Sequence, residues 1–348
     1  MPDSSDLILK RKSEHLDLCL TDSVSFKNKS NGFEHYEFKH HATTQVDISK
    51  IDFTTEFFNK KISYPFLISC MTGGIEKADN INLKLAESAA SLNIPLGLGS
   101  LRYALENNEH DSRLKEIRIN AKSIPILANL GIAQIIQQKK ISSLQRVIDL
   151  LEADVMVIHL NPLQELMQEN GEPNFPSLLK SIKNIVKKIN LPVIVKEVGA
   201  GISKNVAKEL LDIGVKGIDV AGAGGTSWAG VEILRSKSTQ SEMFWDWGLP
   251  TSYCIRKVAS LKKKYDFILV GSGGIDTPFD LAKSLALGAD MCGSARTILK
   301  TLNSNGDEGV ATLIKHWFEI VKKIMFLTGS HSLDELNRRK LVRSKELF

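Results

Sequence analysis

From residue 65 onward, short dense apolar runs alternate with longer stretches of helix-like sequence. The runs are PFLISC at 65–70, IPLGLGS at 94–100, IPILANL at 124–130, VMVIHL at 155–160, LPVIVKE at 191–197, GIDVAG at 217–222, FILVGSGG at 267–274 and DMCGSA at 290–295. Each is bounded by Gly, Pro or a polar turn, as buried strands are. The intervals, such as KADNINLKLAESAASL and SLLKSIKNIVKKI, carry the periodicity of helices. Strand followed by helix, repeated about every thirty residues, predicts an α/β fold of the closed (β/α)₈ TIM-barrel type. An open doubly wound sheet is the alternative, and the count of eight runs favours closure.

The ends of the chain depart from this rhythm. Residues 1–60 are polar and irregular, with RKSEHLDL near the start and a β-like stretch around Val46 to Phe53, and they are expected to form an arm and cap. Residues 61–348 then make the barrel, with a C-terminal helical extension running through MFLTGSHSLDELNRR. The basic end RRKLVRSK is expected to be solvated surface. After the sixth strand a long interval, from Thr226 to Asp266, holds three of the four tryptophans. Such a connection on the catalytic side of a barrel serves as a lid or binding loop, or else as a subunit interface.

Composition narrows the partners. The 43% hydrophobic content supports a sizeable core, and a formal charge of +5, with basic residues spread out, argues against nucleic acid. Cys19, Cys70, Cys254 and Cys292 are far apart, with no metal-ligand spacing, and are expected as reduced thiols. MPDSSDLILKRKSEH has no apolar signal core and no apolar run is long enough to span a bilayer, so a cytoplasmic protein without membrane attachment is expected.

The candidate chemistry centres on VMVIHLNPLQE, residues 155–165. Alternation along a strand lets His159 and Asn161 point the same way where the apolar run ends, with Gln164 and Glu165 in the turn beyond. Reactive groups of barrel enzymes come from such C-terminal strand ends. GSGGIDT (271–277) and CGSAR (292–296) follow neighbouring strands. Either turn alone is ordinary, but together they predict a phosphate site of glycine backbone and a helix N-terminus. Other strand ends add Met71, Thr72 and Gly73, then Ser100 and Arg102, Asn129, Lys196 and Thr226. Lys196 also fits a salt-bridged barrel lysine. Amides and hydroxyls for a planar redox ring, with glycines for a terminal phosphate, point to FMN. Arg11, Lys12 and His15, as R-K-x-x-H, suit either a clamp on a diphosphate or an exposed basic turn. Glu165 suits Mg²⁺ if a diphosphate is bound, and is otherwise a surface carboxylate.

These residues together resemble the type 2, FMN-dependent isopentenyl diphosphate isomerases. RKSEHL, SCMTGG, GSLR, HLNPLQE, VKEVGAGIS, GAGGTSW, FWDWGLPT and LAKSLALGA occur in that family's order over nearly the whole chain. The resemblance implies interconversion of isopentenyl and dimethylallyl diphosphate, FMN, Mg²⁺, NADPH as flavin reductant, and a homo-oligomer, tetramer or octamer. It implies substrate contacts at Arg11, Lys12, His15, Ser100, Arg102, His159, Asn161 and Gln164. Of these, His159, Asn161 and Gln164 are implied to serve catalysis. Flavin contacts are implied at Met71, Thr72, Gly73, Ser100, Asn129, Lys196, Thr226, Gly274, Asp276, Ser294 and Ala295, and a metal ligand at Glu165. Asp276 stands where the family commonly has Arg, and Leu101 where Gln is common. The alternative is a net-redox FMN enzyme of the hydroxy-acid oxidase or dihydroorotate dehydrogenase type. The oxidases carry a histidine beside paired glycines near the flavin, and GAGGTS has none.

Overall fold

Eight short parallel strands organise the computed structural model, which describes residues 4–71, 73–106, 108–137, 141–236 and 241–347. They are β1 (Phe66–Ile68), β2 (Leu96–Gly97), β3 (Ile126–Gly131), β4 (Val155–His159), β5 (Val193–Lys196), β6 (Gly217–Asp219), β7 (Ile268–Ser272) and β8 (Met291–Ser294). Each pairs with the next and β8 returns to β1, Cys292 opposite Phe66, so the sheet is the closed barrel expected from the eight runs. The register sets Gly131, His159, Lys196 and Asp219 in one row across β3 to β6. That row fixes the level at which the polar ends of these strands meet.

Inside the barrel, Leu67, Leu127, Val155, Val157, Ile194, Val270 and Met291 form one apolar cluster. A hairpin of Thr55–Phe57 and Lys60–Ile62 drives Phe57 and Ile62, both 0% exposed, into it. Lys60 reaches Asp154, just before β4, at 2.6 Å. The hairpin therefore seals the end where the strands begin, and only the C-terminal ends remain open for chemistry. Outside, the helices pack their apolar stripes on the strands in a second, larger core.

Four helices matter for the site: α1 (Ser4–Cys19), α2 (Pro162–Met167), α3 (Trp228–Ser236) and α4 (Arg296–Leu327). Three expectations for the chain ends are corrected. The first part of the arm is helical, which puts Arg11, Lys12 and His15 on neighbouring turns of α1. The stretch Val46 to Phe53 is a loop with one 3₁₀ turn at Ile48–Lys50, not a strand; Asp47 accepts from Ser49 N at 3.1 Å, and Val46, Ile51 and Phe53 are buried from the loop. The basic C-terminal segment pairs Leu341–Arg343 antiparallel with Tyr36–Phe38 and is not simply solvated; the helix before it ends at Leu327. The long interval after β6 folds into α3, a turn at Glu242–Phe244 and a helix at Thr251–Val258. Among the described residues, no helix is long and apolar enough to cross a membrane.

Candidate functional site

A cavity of about 700 Å³ opens at the C-terminal ends of the strands. Its wall takes Arg11, Lys12 and His15 from α1, Met71 and Gly73 after β1, Ser100 and Arg102 after β2, and Asn129 from β3. It continues with His159, Asn161, Gln164 and Glu165 around the end of β4, Lys196 at the end of β5 and Thr226 after β6. Gly274 and Asp276 after β7 and Ser294 and Ala295 at β8 complete it. Every sequence-predicted site residue in the described set thus borders one cavity. Thr72 lies outside the described residues.

His159 ends β4 with its Nδ1 3.0 Å from Asn129 Oδ1. A carbonyl oxygen only accepts, so Nδ1 carries the proton and Nε2 is left as an acceptor. Burial, and then the charge of Lys196 beside it, lower its pKa from 6.5 to about 4, so the ring is neutral near pH 7. Lys196, 8% exposed, donates to Glu197 O at 2.8 Å and lies 3.8 Å from Asp219 Oδ2. The salt-bridged reading of this lysine and its place on the cavity wall both hold. Glu197 Oε2 collects backbone N–H bonds from Val198 at 2.6 Å, Gly199 at 2.7 Å and Gly201 at 3.2 Å, which orders the loop after β5. Burial still raises its pKa against those bonds.

Asn161 sits at the N-cap of α2, with Pro162 opening the helix. Its Nδ2 donates to Glu165 Oε1 at 2.8 Å and to Gln164 Oε1 at 3.3 Å. The other Glu165 oxygen accepts from Glu172 N at 2.8 Å. Gln164 in turn donates to Glu232 Oε1 at 3.3 Å, and His15 Nε2 meets the same oxygen at 2.8 Å. Glu232, 1% exposed, also holds Arg235 Nη1 at 2.6 Å. A continuous polar chain therefore runs from the arm through Glu232 and Gln164 to Asn161 and Glu165. Burial pushes the Glu232 carboxyl up, but the His15 hydrogen bond and the charges of His15 and Arg235 outweigh it, leaving a net lowering. The sequence reading did not pick out Glu232; its signal was a lone carboxylate in the apolar run WAGVEIL, one turn after Trp228.

Trp228 borders the cavity and meets the His15 ring edge-on, centroids 5.3 Å apart. Lys12 Nζ donates to Gly73 O at 2.7 Å, fastening α1 across the mouth. Arg11 is half-buried there; burial lowers its pKa, against the raising effect of Glu232 and Glu165, and Arg102 and Arg235 add like charge. Cations and carboxylates are thus interleaved at the mouth.

Beyond β7, Gly273 (φ +101°) and Gly274 (φ +67°) occupy backbone that side chains rarely adopt, and a Cβ on Gly274 would lie 2.6 Å from Gly224 O. The β6 and β7 loops touch through bare backbone. Asp276 accepts from Thr297 Oγ1, and Arg296, which opens α4, also borders the cavity. Leu101 is buried, and its N–H is bonded to Asn129 O at 2.9 Å. All four cysteines are free, and burial pushes each thiol up to about 12, so none offers a thiolate nucleophile near pH 7. Among the described residues no group of three or more His, Cys, Asp or Glu is arranged around a metal position.

The family described as FMN-dependent dehydrogenase matches residues 6–115 and 133–343. The isopentenyl-diphosphate delta-isomerase of Chlorobium limicola is 40% identical over 98% of this chain and 98% of that protein. The Pseudescherichia vulneris protein of the same name is 41% identical over 95% and 96%. Among solved structures, a flavocytochrome b2 variant with sulfite bound aligns with a TM-score of 0.70 at 18% identity, over 98% of this chain and 84% of that one. A mandelate oxidase variant aligns with a TM-score of 0.67 at 18% identity, over 97% and 98%. At such identity these two speak for the fold alone. By the family match and by 40% identity over nearly its full length, the chain belongs to the FMN-dependent dehydrogenase family and to the isopentenyl-diphosphate delta-isomerases.

Proposed function

We propose that this protein interconverts isopentenyl diphosphate and dimethylallyl diphosphate with bound reduced FMN and Mg²⁺ and no net redox change. We further read it as a cytoplasmic homo-oligomer whose flavin is reduced by NADPH. The observation that carries the reading is the polar chain His15–Glu232–Gln164–Asn161–Glu165 bordering the same cavity as the Gly273–Gly274 backbone. The residues fit the flavin. Ser69 Oγ, Asn161 Oδ1 and Arg296 Nη1 are buried polar atoms without a hydrogen-bond partner, and all three residues border the cavity. Buried polar groups in native proteins are normally paired, so a polar ligand accounts for them. The volume of about 700 Å³ lies within the ordinary range for such ligands.

Met71, Gly73, Ser100, Asn129, Lys196 and Thr226 would hold the ring, and Gly274, Asp276, Ser294 and Ala295 would surround the phosphate. Reduced FMN, when bound, supplies an electron-rich ring face for the cationic character that protonation of an alkene develops. Arg11, Lys12 and Arg102 bind the diphosphate as forks and a point charge. Mg²⁺ would be held by Glu165, whose two oxygens accept only neutral donors and keep lone pairs for a metal completed by phosphate and water. Neutral His159, held by Asn129, contributes a fixed dipole and no charge. Gln164 has no titrating group near neutrality; it orients the alkene and relays to Glu232, the ionisable group behind it. Helix α1, pinned by Lys12 and His15, excludes water.

An anaerobic assay with FMN, Mg²⁺, NADPH and isopentenyl diphosphate tests this. Dimethylallyl diphosphate without continuing NADPH consumption is expected. Stoichiometric NADPH oxidation with another product would transfer the protein to the net-redox FMN oxidoreductases, and bound flavin without turnover would make it a flavin-binding scaffold.

A further inference from the structure

Tyr103 follows Arg102 in the short helix Arg102–Glu106 beyond β2, and its ring lies against the backbone of the loop after β1. A Cβ on Gly74 would fall 2.6 Å from the ring Cδ1, and one on Gly73 would fall 3.4 Å from Cε1. Lys12 reaches the same place from α1. Its ammonium donates to Gly73 O at 2.7 Å and stands 5.3 Å from the centroid of the Tyr103 ring. A cation at that distance from an aromatic face is attracted by the ring quadrupole. Gly74, at φ +79°, leaves the space that ring and ammonium share, since a Cβ there would collide with both. Two groups brace the ring. His110 packs edge-on with centroids 4.5 Å apart, and the hydroxyl hydrogen-bonds Asp79, a carboxyl 6% exposed in the first turn of the helix Glu76–Leu92. Burial, and then the Asp79 charge, push the phenol pKa well up, so the hydroxyl keeps its proton as the donor. Asp79 keeps this bond at a cost, with its Oδ1 buried and unpartnered.

We propose that Tyr103, braced by Asp79 and His110, is a positioning residue that seats the Lys12 ammonium for the diphosphate and so sets how tightly the arm holds that anion. This rests on the reading of Arg11, Lys12 and Arg102 as diphosphate contacts. A lysine side chain has much rotamer freedom to lose when it grips an anion. Bonded to Gly73 O and lying by the ring, Lys12 has given up part of that freedom before the substrate arrives. A carbonyl and a ring face carry no formal charge, so this seat orients the ammonium without cancelling it. Arg102, next to Tyr103 in the chain, borders the cavity, so one short helix governs two cations of the clamp.

The test is a double-mutant cycle between Tyr103 and Lys12. Flavin-loaded parent, Tyr103→Leu and Tyr103→Phe proteins, each with and without Lys12→Met, are titrated with inorganic diphosphate and Mg²⁺ by calorimetry. Tyr103→Leu should raise the diphosphate Kd about 3- to 10-fold when Lys12 is present, and by less than about 1.5-fold in the Lys12→Met background. Tyr103→Phe keeps the ring face and should recover most of the loss. In isomerase assays Tyr103→Leu should raise KM for isopentenyl diphosphate by a similar factor, with kcat changed less than about twofold. An unchanged Kd, an equal loss in both Lys12 backgrounds, or a Tyr103→Phe protein no better than Tyr103→Leu overturns the assignment while the diphosphate reading stands. If Tyr103→Leu loses its flavin, a series of fluorinated phenylalanines at position 103 takes its place, keeping the shape of the ring while draining negative charge from its face. The Kd should then climb with each fluorine, and a flat series overturns the assignment. If the parent binds no inorganic diphosphate, the diphosphate reading of the arm fails and takes the assignment with it.

Discussion

His159 should make the ligand-free protein lose stability on mild acidification. In the folded chain its pKa is lowered from 6.5 to about 4, first by burial and then by Lys196. Between those two values the unfolded chain takes up a proton that the folded chain refuses. Stability contributed by the neutral ring is therefore complete above about pH 6.5 and is lost as pH falls towards 4. One proton across about 2.5 pH units, at about 1.4 kcal/mol each, amounts to on the order of 3 kcal/mol. In His159→Gln that site has no titration, while an amide can still reach Asn129. Urea unfolding of both proteins, stripped of flavin, from about pH 7.5 down to about 4.5 isolates the effect as the difference between two curves, because the other seven histidines and the carboxylates cancel. The parent curve should fall away from the variant curve over this range. Parallel curves over this range would refute the assignment of a neutral, desolvated ring.

Three further outcomes follow from the same geometry. Gln164→Ala should cut isomerase turnover while leaving the FMN content of the purified protein unchanged; equal loss of both would remove Gln164 from the reaction. Gly274→Ala forces a Cβ to within 2.6 Å of Gly224 O at a φ of +67°, so it should cost about 1–3 kcal/mol and weaken FMN binding, and an unaltered Tm with full flavin content would contradict the close approach of the β6 and β7 loops. Phe57→Ala empties the sealed end of the barrel and should cost about 3–5 kcal/mol in urea unfolding, with little effect on flavin affinity in whatever remains folded; a loss under about 1 kcal/mol would show that the hairpin does not plug the interior.

Much of this molecule was legible in one dimension. Eight apolar runs with turn residues between them specify the barrel because a buried parallel strand needs a continuous apolar segment and a crossover helix to the next. The polar groups at the ends of those runs, from Ser100 to Ala295, had to meet once the sheet closed, since all eight parallel strands end on the same face. The ends of the chain were less legible. Val46, Ile51 and Phe53 are apolar because a loop buries them, which produces a strand-like spacing without a ladder. Leu341–Arg343 becomes a strand only because Tyr36–Phe38, three hundred residues away, offers an edge. Other features belong to tertiary structure alone. Glu232 looks like an ordinary helix residue in the sequence, and Arg296 is only the last residue of the CGSAR turn. Burial beneath α1 gives Glu232 three partners, and closure of the barrel brings Arg296 to the cavity with an unpaired nitrogen. Local pattern determines which segments fold and how. Desolvation and charge pairing depend on what packs around a side chain, and only the assembled barrel supplies those neighbours.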